Sequence, residues 1–316
     1  MNCYCCGKPL RDGNENGWHP ACIRRFFGTT VIPQIEIDDS TLMQIARENT
    51  QQGITVPGVQ KKLSLSLHSE GRIPRLTLVN YPAGYILKPR VAEFECLPEA
   101  EQLAMSMADI TGISTVPHAL LRRGETIAYI TKRVDRTFDK AGVKKLAMED
   151  FCQLDLRLTQ DKYRGSYERC AKVIDRYSSR AKLDMSELFM RLVFSFIVGN
   201  SDMHLKNFSL IETEEASGIY VLSPAYDLLP VNVVMPEDTE TFALAMNGKK
   251  TNIRKKDFLV YAEACGISET SAEKMIAHVV SLKNIYHELC RTSLLTTKLK
   301  DRLIQLIEER CEILGK

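Results

Sequence analysis

The sequence predicts an α+β protein in which a smaller, mostly β part precedes a larger, mostly helical part. Runs of alternating apolar and polar residues in the first half, such as Leu63–Leu67, indicate half-buried strands. An apolar stripe at helical period between Leu188 and Ile197 indicates a buried helix in the second half. The chain has 316 residues, 44% of them hydrophobic, which is enough to bury a sizeable core.

Composition excludes several classes of protein. The net charge of +2 gives no strong field, so we expect no direct binding of nucleic acid. No apolar run approaches the ~18 residues of a membrane span, and the N-terminus lacks the pattern of a signal peptide. Ten cysteines with one N-terminal cluster fit a reducing compartment and a metal site better than a disulfide scaffold. We therefore expect a cytoplasmic protein without membrane contact.

Residues 1–28 form a Cys/His segment that stands apart in composition. A C-x-x-C pair is followed, after a twelve-residue gap, by H-x-x-C. Cys3, Cys6, His19 and Cys22 are the expected ligands of a tetrahedral, zinc-knuckle-like Zn²⁺ site. Cys5 is an alternative ligand, and a metal-free, reduced cysteine-rich end is the alternative to a metal site. Four protein ligands leave no open position, so the predicted zinc is structural.

Residues 29–52 are expected to be a connector containing a short helix, Thr41–Glu48, and residues 53–134 form the mostly β part. A glycine-containing loop at 53–62 opens the first strand and can lay backbone N–H groups over phosphates. Further strands are expected at Arg75–Val79, at Tyr85–Pro89 and, as a pair, between Glu125 and Val134, with a helix at Leu97–Ile110. Lys88 ends an apolar strand, where its ammonium can reach phosphates; the alternative is a strand-end lysine in solvent.

Residues 135–316 are predicted to be mostly helical. Helices are expected at Glu149–Leu156, at 168–182 and from Lys256 onward, with a hairpin over Phe208–Leu222. The buried helix before the hairpin has Asp184 as its expected N-cap, with Glu187 completing a capping box, and it ends at Gly199.

The loop between that helix and the hairpin, Gly199–Asn207, carries the most informative residues. Asp202 can accept the proton of an attacking hydroxyl, and Asn207 and Asp227 can hold Mg²⁺ against nucleotide phosphates. The alternative is a polar turn with a capping asparagine and a surface aspartate. Asp202 and Asn207 lie on a loop between a buried helix and a strand, and Asp227 lies just past the second strand. This placement favours phosphoryl transfer over the alternative of a polar turn.

This loop and the segment Pro224–Pro230 resemble the catalytic loop and the metal-binding segment of HipA-type serine/threonine kinases, the toxins of bacterial type II toxin–antitoxin modules. The resemblance extends from Gly53 to the C-terminus. It implies a bilobal, protein-kinase-like fold with a small, mostly β N-lobe (53–134) and a mostly helical C-lobe (135–316). It also implies ATP and Mg²⁺ as cofactors, and some relatives begin with a similar Cys/His pair.

The resemblance assigns roles by position. Asp202 is the implied base, Lys206 neutralises the transferred phosphate, Asn207 and Asp227 bind Mg²⁺, and His204 is expected to be a structural hydrogen-bonding residue beside the nucleotide. Thr55 stands where the family has an autophosphorylated serine. The remaining implied nucleotide-site residues are Gly58, Val59, Gln60, Lys61 and Lys62 in the loop, Lys88 with its partner Glu101, and the main chain of Lys132 and Val134.

The implied substrate is a protein of the translation machinery such as an aminoacyl-tRNA synthetase. About fifty residues precede the nucleotide loop, as in the shorter HipT-like form, which implies a small HipS-like partner and a DNA-binding HipB-like antitoxin. Three alternatives stay open: a small-molecule or lipid kinase on the same fold, a catalytically silent kinase-like binding module, and a nucleic-acid-binding role of the Cys/His segment, against which the near-neutral charge argues. The intact set of Lys88, Asp202, Asn207 and Asp227 argues against the silent module.

Overall fold

A computed structural model describes residues 1–11, 14, 16–36, 62–68, 73–78, 83–124, 126–139 and 142–316. The chain divides into two compact units: unit 1 comprises residues 1–106 and 116–134, and unit 2 comprises residues 107–115 and 135–316. The predicted helix Thr41–Glu48 and the predicted loop at 53–61 lie outside the described residues.

Unit 1 is built on a six-stranded sheet with the strand order β1-β3-β2-β4-β6-β5. Its strands are β1 (Gln34–Glu36), β2 (Leu63–His68), β3 (Arg75–Leu78), β4 (Tyr85–Pro89), β5 (His118–Arg123) and β6 (Thr126–Lys132). Only the pairing of β1 with β3 is parallel among these described strands. The alternation in the sequence explains the faces of the sheet, because Tyr85 and Leu87 of β4 are buried while Ile86 between them is partly exposed.

Two helices accompany the sheet. They are α1 (Pro20–Phe27) and α2 (Leu97–Thr111), and the last turn of α2 is counted with unit 2. Helix α1 begins with a proline at its first position, where no backbone N–H is needed, and ends at Gly28 with a left-handed φ of 75°.

Unit 2 is mostly helical. Its helices are α3 (Phe151–Leu154), α4 (Tyr167–Tyr177), α5 (Ala181–Val198), α6 (Val231–Val234), α7 (Lys255–Ala264), α8 (Glu269–Ser281), α9 (Lys283–Thr292) and α10 (Thr297–Gly315). Its strands are β7 (Arg136–Asp139) and β8 (Gly142–Lys145), which form a hairpin, and β9 (Met148–Asp150), β10 (Ser209–Glu212) and β11 (Tyr220–Leu222), which form a small sheet.

Helix α5 is the central helix of unit 2. From Leu188 to Val198 it is buried on nearly all sides, which is why its sequence reads as almost continuously apolar. Phe189 and Phe196 lie in an aromatic cluster with Phe258, whose ring centroid is 6.2 Å from that of Phe189 and 5.5 Å from that of Phe196. This packing fixes the end of α5, from which the predicted catalytic loop departs.

Two sequence predictions are wrong at the starts of helices. The helix predicted from Glu149 begins only at Phe151, because Met148–Asp150 pair with β10 as a strand. Helix α5 begins at Ala181, so Asp184 is inside its first turn and is not its N-cap. The buried Asp184 carboxylate instead accepts hydrogen bonds from the Leu222 N–H (2.7 Å) and the Ser178 hydroxyl (2.6 Å).

The helix predicted over 168–182 is also shorter, since α4 ends at Tyr177. In the described part of the chain, no helix is long and apolar enough to span a membrane.

Candidate active site and metal centre

The predicted catalytic loop starts from a glycine that the packing requires. Gly199 ends α5 with a left-handed φ of 72°, and its carbonyl accepts a hydrogen bond from the Asn232 N–H (3.0 Å). A Cβ at this position would lie 2.4 Å from Cδ2 of Leu306. Glycine therefore allows the chain to leave α5 in this direction without backbone strain and without a shift of the Leu306 side chain.

Asp202 and Asn207 are linked within the loop. The Asn207 side-chain amide donates a 2.8 Å hydrogen bond to the Asp202 carbonyl, and the Asn207 N–H donates to the His204 carbonyl (2.9 Å). These bonds fold residues 202–207 into a tight turn that ends in one turn of 3₁₀ helix, Leu205–Asn207. The Asn207 side-chain oxygen accepts no hydrogen bond within the described residues, so it is available as a ligand for a hard cation.

The Asp202 carboxyl is half-buried and electrostatically unusual. Burial, with a smaller contribution from the negative charge of Asp227, raises its pKa to about 7, although a hydrogen bond from the Tyr163 hydroxyl to Oδ1 (2.8 Å) acts in the opposite direction. The second oxygen, Oδ2, accepts no hydrogen bond from the described part of the chain. A carboxyl with a pKa near neutrality and one unengaged oxygen is suited to accepting a proton.

Asp227 lies in a strained backbone conformation beside this carboxyl. Its φ is 61°, which is uncommon for a residue with a side chain and costs on the order of 1 kcal/mol. The neighbouring Tyr226 holds it in place, because the Tyr226 hydroxyl donates to the Lys206 carbonyl (3.0 Å) and bonds the Ser209 hydroxyl (2.6 Å). The segment after β11 is thus attached to the catalytic loop and brings a second carboxylate to it.

The two other predicted site residues of the loop have different surroundings. His204 is buried, and burial together with the nearby charge of Lys162 lowers its pKa to about 4, so its ring is neutral at pH 7. Lys206 forms an ion pair with Asp150, with 2.6 Å between Nζ and Oδ2. A role of Lys206 in neutralising phosphate would require its ammonium to leave or share this partner.

In unit 1, the structure brings Lys88 and Glu101 together. Lys88 Nζ lies 2.6 Å from Glu101 Oε1, and both side chains are almost fully buried. Glu99, on the same helix, pairs with Arg90. The two carboxylates of α2 therefore have separate cationic partners, and Glu101 is the partner of Lys88 that the sequence favoured.

The other predicted nucleotide-site residues are less informative. The N–H of Lys132 donates to the Pro117 carbonyl (2.9 Å), so a main-chain contact from Lys132 to adenine would have to use its carbonyl. Val134 is half-exposed at the end of unit 1, and Lys62 is exposed just before β2. Thr55, Gly58, Val59, Gln60 and Lys61 lie outside the described residues.

The N-terminal cysteines and histidine converge on one point. The ligand atoms of Cys3, Cys6, His19 and Cys22 all lie within 4.8 Å of one another. His19 Nδ1 is 3.4 Å from Cys6 Sγ and 3.9 Å from Cys22 Sγ, close to the ~3.6 Å edge expected for tetrahedral Zn²⁺ with Zn–S and Zn–N bonds of ~2.3 and ~2.0 Å. The donor set and its spacing therefore fit zinc.

The groups that form hydrogen bonds with these four side chains also fit a metal site. His19 Nε2 lies 3.0 Å from the Pro9 carbonyl, which fixes the ring with Nδ1 facing the sulfurs. The His19 N–H donates to Cys3 Sγ (3.5 Å). Although burial raises the pKa of Cys3, backbone N–H donors from Cys6, Cys5 and His19 lower it to about 7 overall. The alternative ligand Cys5 is outside the group of four, and its sulfur contacts the Arg25 guanidinium.

The Cys/His segment is part of the core of unit 1. The indole of Trp18 is buried and donates to the Leu120 carbonyl (3.1 Å), and the Leu120 N–H donates to the Tyr4 carbonyl (3.0 Å). Trp18 also packs on Phe26, with ring centroids 5.5 Å apart, and Phe26 packs on Tyr85 of β4 (6.0 Å). The segment thus packs along β5, an edge strand of the sheet of unit 1.

Comparisons with known proteins agree with these features. Residues 54–284 match the family model described as "HipA-like C-terminal domain". The chain belongs to this HipA-like family. The resemblance predicted from the catalytic loop is therefore confirmed, and the match covers most of the chain.

The relatives of this chain are only moderately similar to it in sequence. A protein of Haemophilus influenzae described as "Putative kinase" is 26% identical over 296 residues, covering 84% of this chain and 83% of the relative. "Putative kinase Y4dM" of Sinorhizobium fredii is 30% identical over 250 residues, covering 73% of this chain. The alignment spans only 58% of that second relative.

Two solved structures share the HipA-like fold. HipA of Shewanella oneidensis, determined in complex with HipB and its operator DNA, matches with a TM-score of 0.72 and 18% identity over 97% of this chain and 80% of that one. The Helicobacter pylori proinflammatory kinase CtkA matches with a TM-score of 0.54 and 15% identity, over 79% of this chain and 93% of that one. The predicted α+β, kinase-like fold class is confirmed.

Sequence reasoning missed three residues that contact the loop: Tyr163 on Asp202, Asp150 on Lys206, and Asp238, whose carboxylate accepts a hydrogen bond from the Ser201 hydroxyl (2.7 Å). None of them belongs to a local motif. The sole signal was a tyrosine in the otherwise polar stretch 161–166, which periodicity does not single out.

Proposed function

We propose that this HipA-like protein is a kinase that uses ATP and Mg²⁺ to phosphorylate serine or threonine residues of a protein. The observation that carries the proposal is the grouping of Asp202, Asn207 and Asp227 around one tight loop of unit 2. The relatives described as kinases and the shared fold of HipA and CtkA support it. The intact pair of Lys88 and Glu101 supports it further.

The roles follow from the chemistry of each group. Asp202, through its unengaged oxygen, would accept the hydrogen bond and then the proton of the attacking hydroxyl. Lys88, held by Glu101, would contact the nucleotide phosphates. Asn207 and Asp227 would hold Mg²⁺, which neutralises charge on the phosphates when bound. His204 would stay neutral and maintain the shape of the loop, and Lys206 would approach the transferred phosphate on leaving Asp150.

We propose structural zinc for the Cys/His segment. Cys3, Cys6, His19 and Cys22 would be its four ligands, and with no open position the metal would take no part in phosphoryl transfer. Its contribution would be to hold the segment that packs along β5 of unit 1.

We further propose that the protein is the toxin of a toxin–antitoxin module in the cytoplasm. The Shewanella structure contains HipA with HipB and operator DNA, which supports a HipB-like antitoxin as a partner. From the resemblance of the sequence we also infer that the substrate is a component of translation, such as an aminoacyl-tRNA synthetase. The same resemblance supports a small HipS-like partner and autophosphorylation at Thr55.

The function is tested by incubating the protein with γ-labelled ATP and a bacterial lysate and identifying labelled proteins by mass spectrometry. Asp202→Asn should lower the initial rate of labelling by at least about 100-fold, because an amide cannot take the proton of the acceptor. Asp175→Asn, a change at an exposed aspartate of α4, is the matched control and should keep the rate of the wild type.

Two results would contradict the proposal. Equal labelling by wild type and Asp202→Asn would remove Asp202 from its role. Label that enters only small molecules or lipids would exclude a protein substrate.

A further inference from the structure

A turn of unit 2 that no sequence motif marks lies against the catalytic loop. One turn of 3₁₀ helix, Thr159–Asp161, is followed by Lys162 and Tyr163, and the N–H of Arg164 closes the turn by donating to the Asp161 carbonyl (2.8 Å). The backbone of this turn is therefore ordered by its own hydrogen bonds, and it presents Tyr163 in a fixed direction.

Three contacts join the turn to the loop. The Leu205 N–H donates to the Lys162 carbonyl (3.2 Å), and the Tyr163 ring meets the buried His204 ring edge to face, with centroids 5.0 Å apart. The third contact is the 2.8 Å hydrogen bond from the Tyr163 hydroxyl to Asp202 Oδ1. Turn and loop thus share a backbone bond, a ring contact and a side-chain bond.

The hydroxyl is the donor in this last bond. Burial raises the pKa of Tyr163, and the neighbouring charge of Asp202 raises it further, so the phenol keeps its proton throughout the neutral range. A neutral phenol gives a short, directional bond to a carboxylate without adding charge to the site.

A carboxylate needs such a bond to have one orientation. The terminal torsion of an aspartate is broad and roughly two-fold, so an unrestrained Asp202 would rotate between orientations. Fixing Oδ1 leaves Oδ2 as the oxygen directed to an acceptor hydroxyl, and misplacement of a reacting group by about 1 Å can cost about 100-fold in rate.

We propose that Tyr163 is a positioning residue that fixes the Asp202 carboxyl with Oδ2 presented to the acceptor hydroxyl. This inference rests on the proposed function of Asp202 as the base. It differs from an interpretation in which the Tyr163 hydroxyl occupies the place of the acceptor and inhibits the enzyme, because the two predict opposite effects of removing the hydroxyl.

The test is Tyr163→Phe in the intact chain, assayed with γ-labelled ATP and bacterial lysate protein. The phenylalanine ring keeps the contact with His204 and removes only the hydroxyl. The apparent kcat should fall about 10- to 100-fold, as expected for loss of one hydrogen bond to a charged group, while the KM for ATP stays within about twofold. Thermal denaturation should show that the variant is folded.

Tyr286→Phe is the matched control. Its hydroxyl is also buried in unit 2, where it bonds the Thr111 hydroxyl (2.6 Å) and no residue of the catalytic loop. It should lose some thermal stability and keep the kcat of the wild type.

The outcomes separate this inference from the proposed function. If Asp202→Asn labels as well as wild type, the proposed function fails. If Asp202→Asn is inactive but Tyr163→Phe matches or exceeds the kcat of wild type, the function stands and the positioning role is overturned. A change in the KM for ATP with constant kcat would also overturn it.

Discussion

At the scale of single residues, the raised pKa of the Asp202 carboxyl connects the proposed chemistry with the stability of the folded protein. Burial and the charge of Asp227 raise its pKa to about 7, so the folded protein binds a proton that the unfolded chain releases near pH 4. The charged form is thus disfavoured by folding in the absence of a cation. A pKa raised in this way is what the proposed role of Asp202 as the proton acceptor requires.

The sign of the effect on stability follows from linkage. The folded pKa lies above the unfolded one, so the penalty is absent below about pH 4, grows as the pH rises, and is complete above about pH 7. In buffer without Mg²⁺, Asp202→Asn should therefore raise the melting temperature at pH 8, on the order of 5 °C, and should have little effect at pH 4.5. Asp175→Asn is the control. A difference that does not vary with pH would contradict the raised pKa.

The residues of the site that could be predicted are those whose spacing is local. Asp202 and Asn207 are recognisable because they lie five positions apart in one loop. Tyr163, Asp150 and Asp238 reach the same loop from 39, 56 and 37 positions away in the sequence. Such contacts arise from tertiary packing, and no periodicity or motif contains them.

At the scale of elements, the sequence predicted a helix end correctly where the backbone conformation determines it. It failed where the expected capping side chain forms a hydrogen bond with a distant part of the chain. Gly199 ends α5 as expected, because a left-handed residue is required there. Asp184 was a good N-cap by local rules, but its carboxylate bonds the N–H of Leu222 in β11 instead. The strand at Met148–Asp150 was missed for the same reason, since its partner β10 is about 60 residues away.

Gly199→Ala is expected to disturb the link between α5 and the catalytic loop. The left-handed φ of 72° alone costs about 1 kcal/mol, and the added Cβ would also meet Leu306 at 2.4 Å. Gly266→Ala is the matched control, because its φ is 71° and no heavy atom lies within 4 Å of a Cβ built there. Chemical denaturation should show a loss about 1–3 kcal/mol larger for Gly199→Ala than for Gly266→Ala.

The kinase assay provides a second readout for the same pair. Because Gly199 is the first residue of the loop, its alanine variant should also lose activity, whereas Gly266→Ala should retain it. Equal losses of stability in the two variants would show that Leu306 moves aside and that contact with α10 does not determine the residue at position 199. Adding Leu306→Ala to Gly199→Ala should recover part of the lost stability if the contact is the cause.

At the scale of the whole molecule, the Cys/His segment is attached to unit 1 by packing that its composition does not indicate. Four potential ligands in a short stretch of sequence predicted a cluster of side chains, and the structure brings these four together. The segment looked separate because its composition differs from that of residues 29–316. Its attachment to unit 1 depends on Trp18 and Leu120, which are 102 positions apart. The Cys/His cluster therefore lies in the same compact unit as Lys88 and Glu101.

Removal of zinc should therefore loosen unit 1 and not only its first 28 residues. The chain has a single tryptophan, and Trp18 is 1% exposed, so its fluorescence reports on this contact without background. Protein prepared without chelator should contain about one zinc, and a strong chelator should shift the Trp18 emission to longer wavelength as the indole leaves the Leu120 carbonyl.

Cys6→Ser should reproduce this shift without chelator. Cys5→Ser, which changes a buried cysteine outside the group of four, should keep both zinc and the short-wavelength emission. Loss of zinc with unchanged Trp18 emission would mean that the aromatic packing alone holds the segment on unit 1.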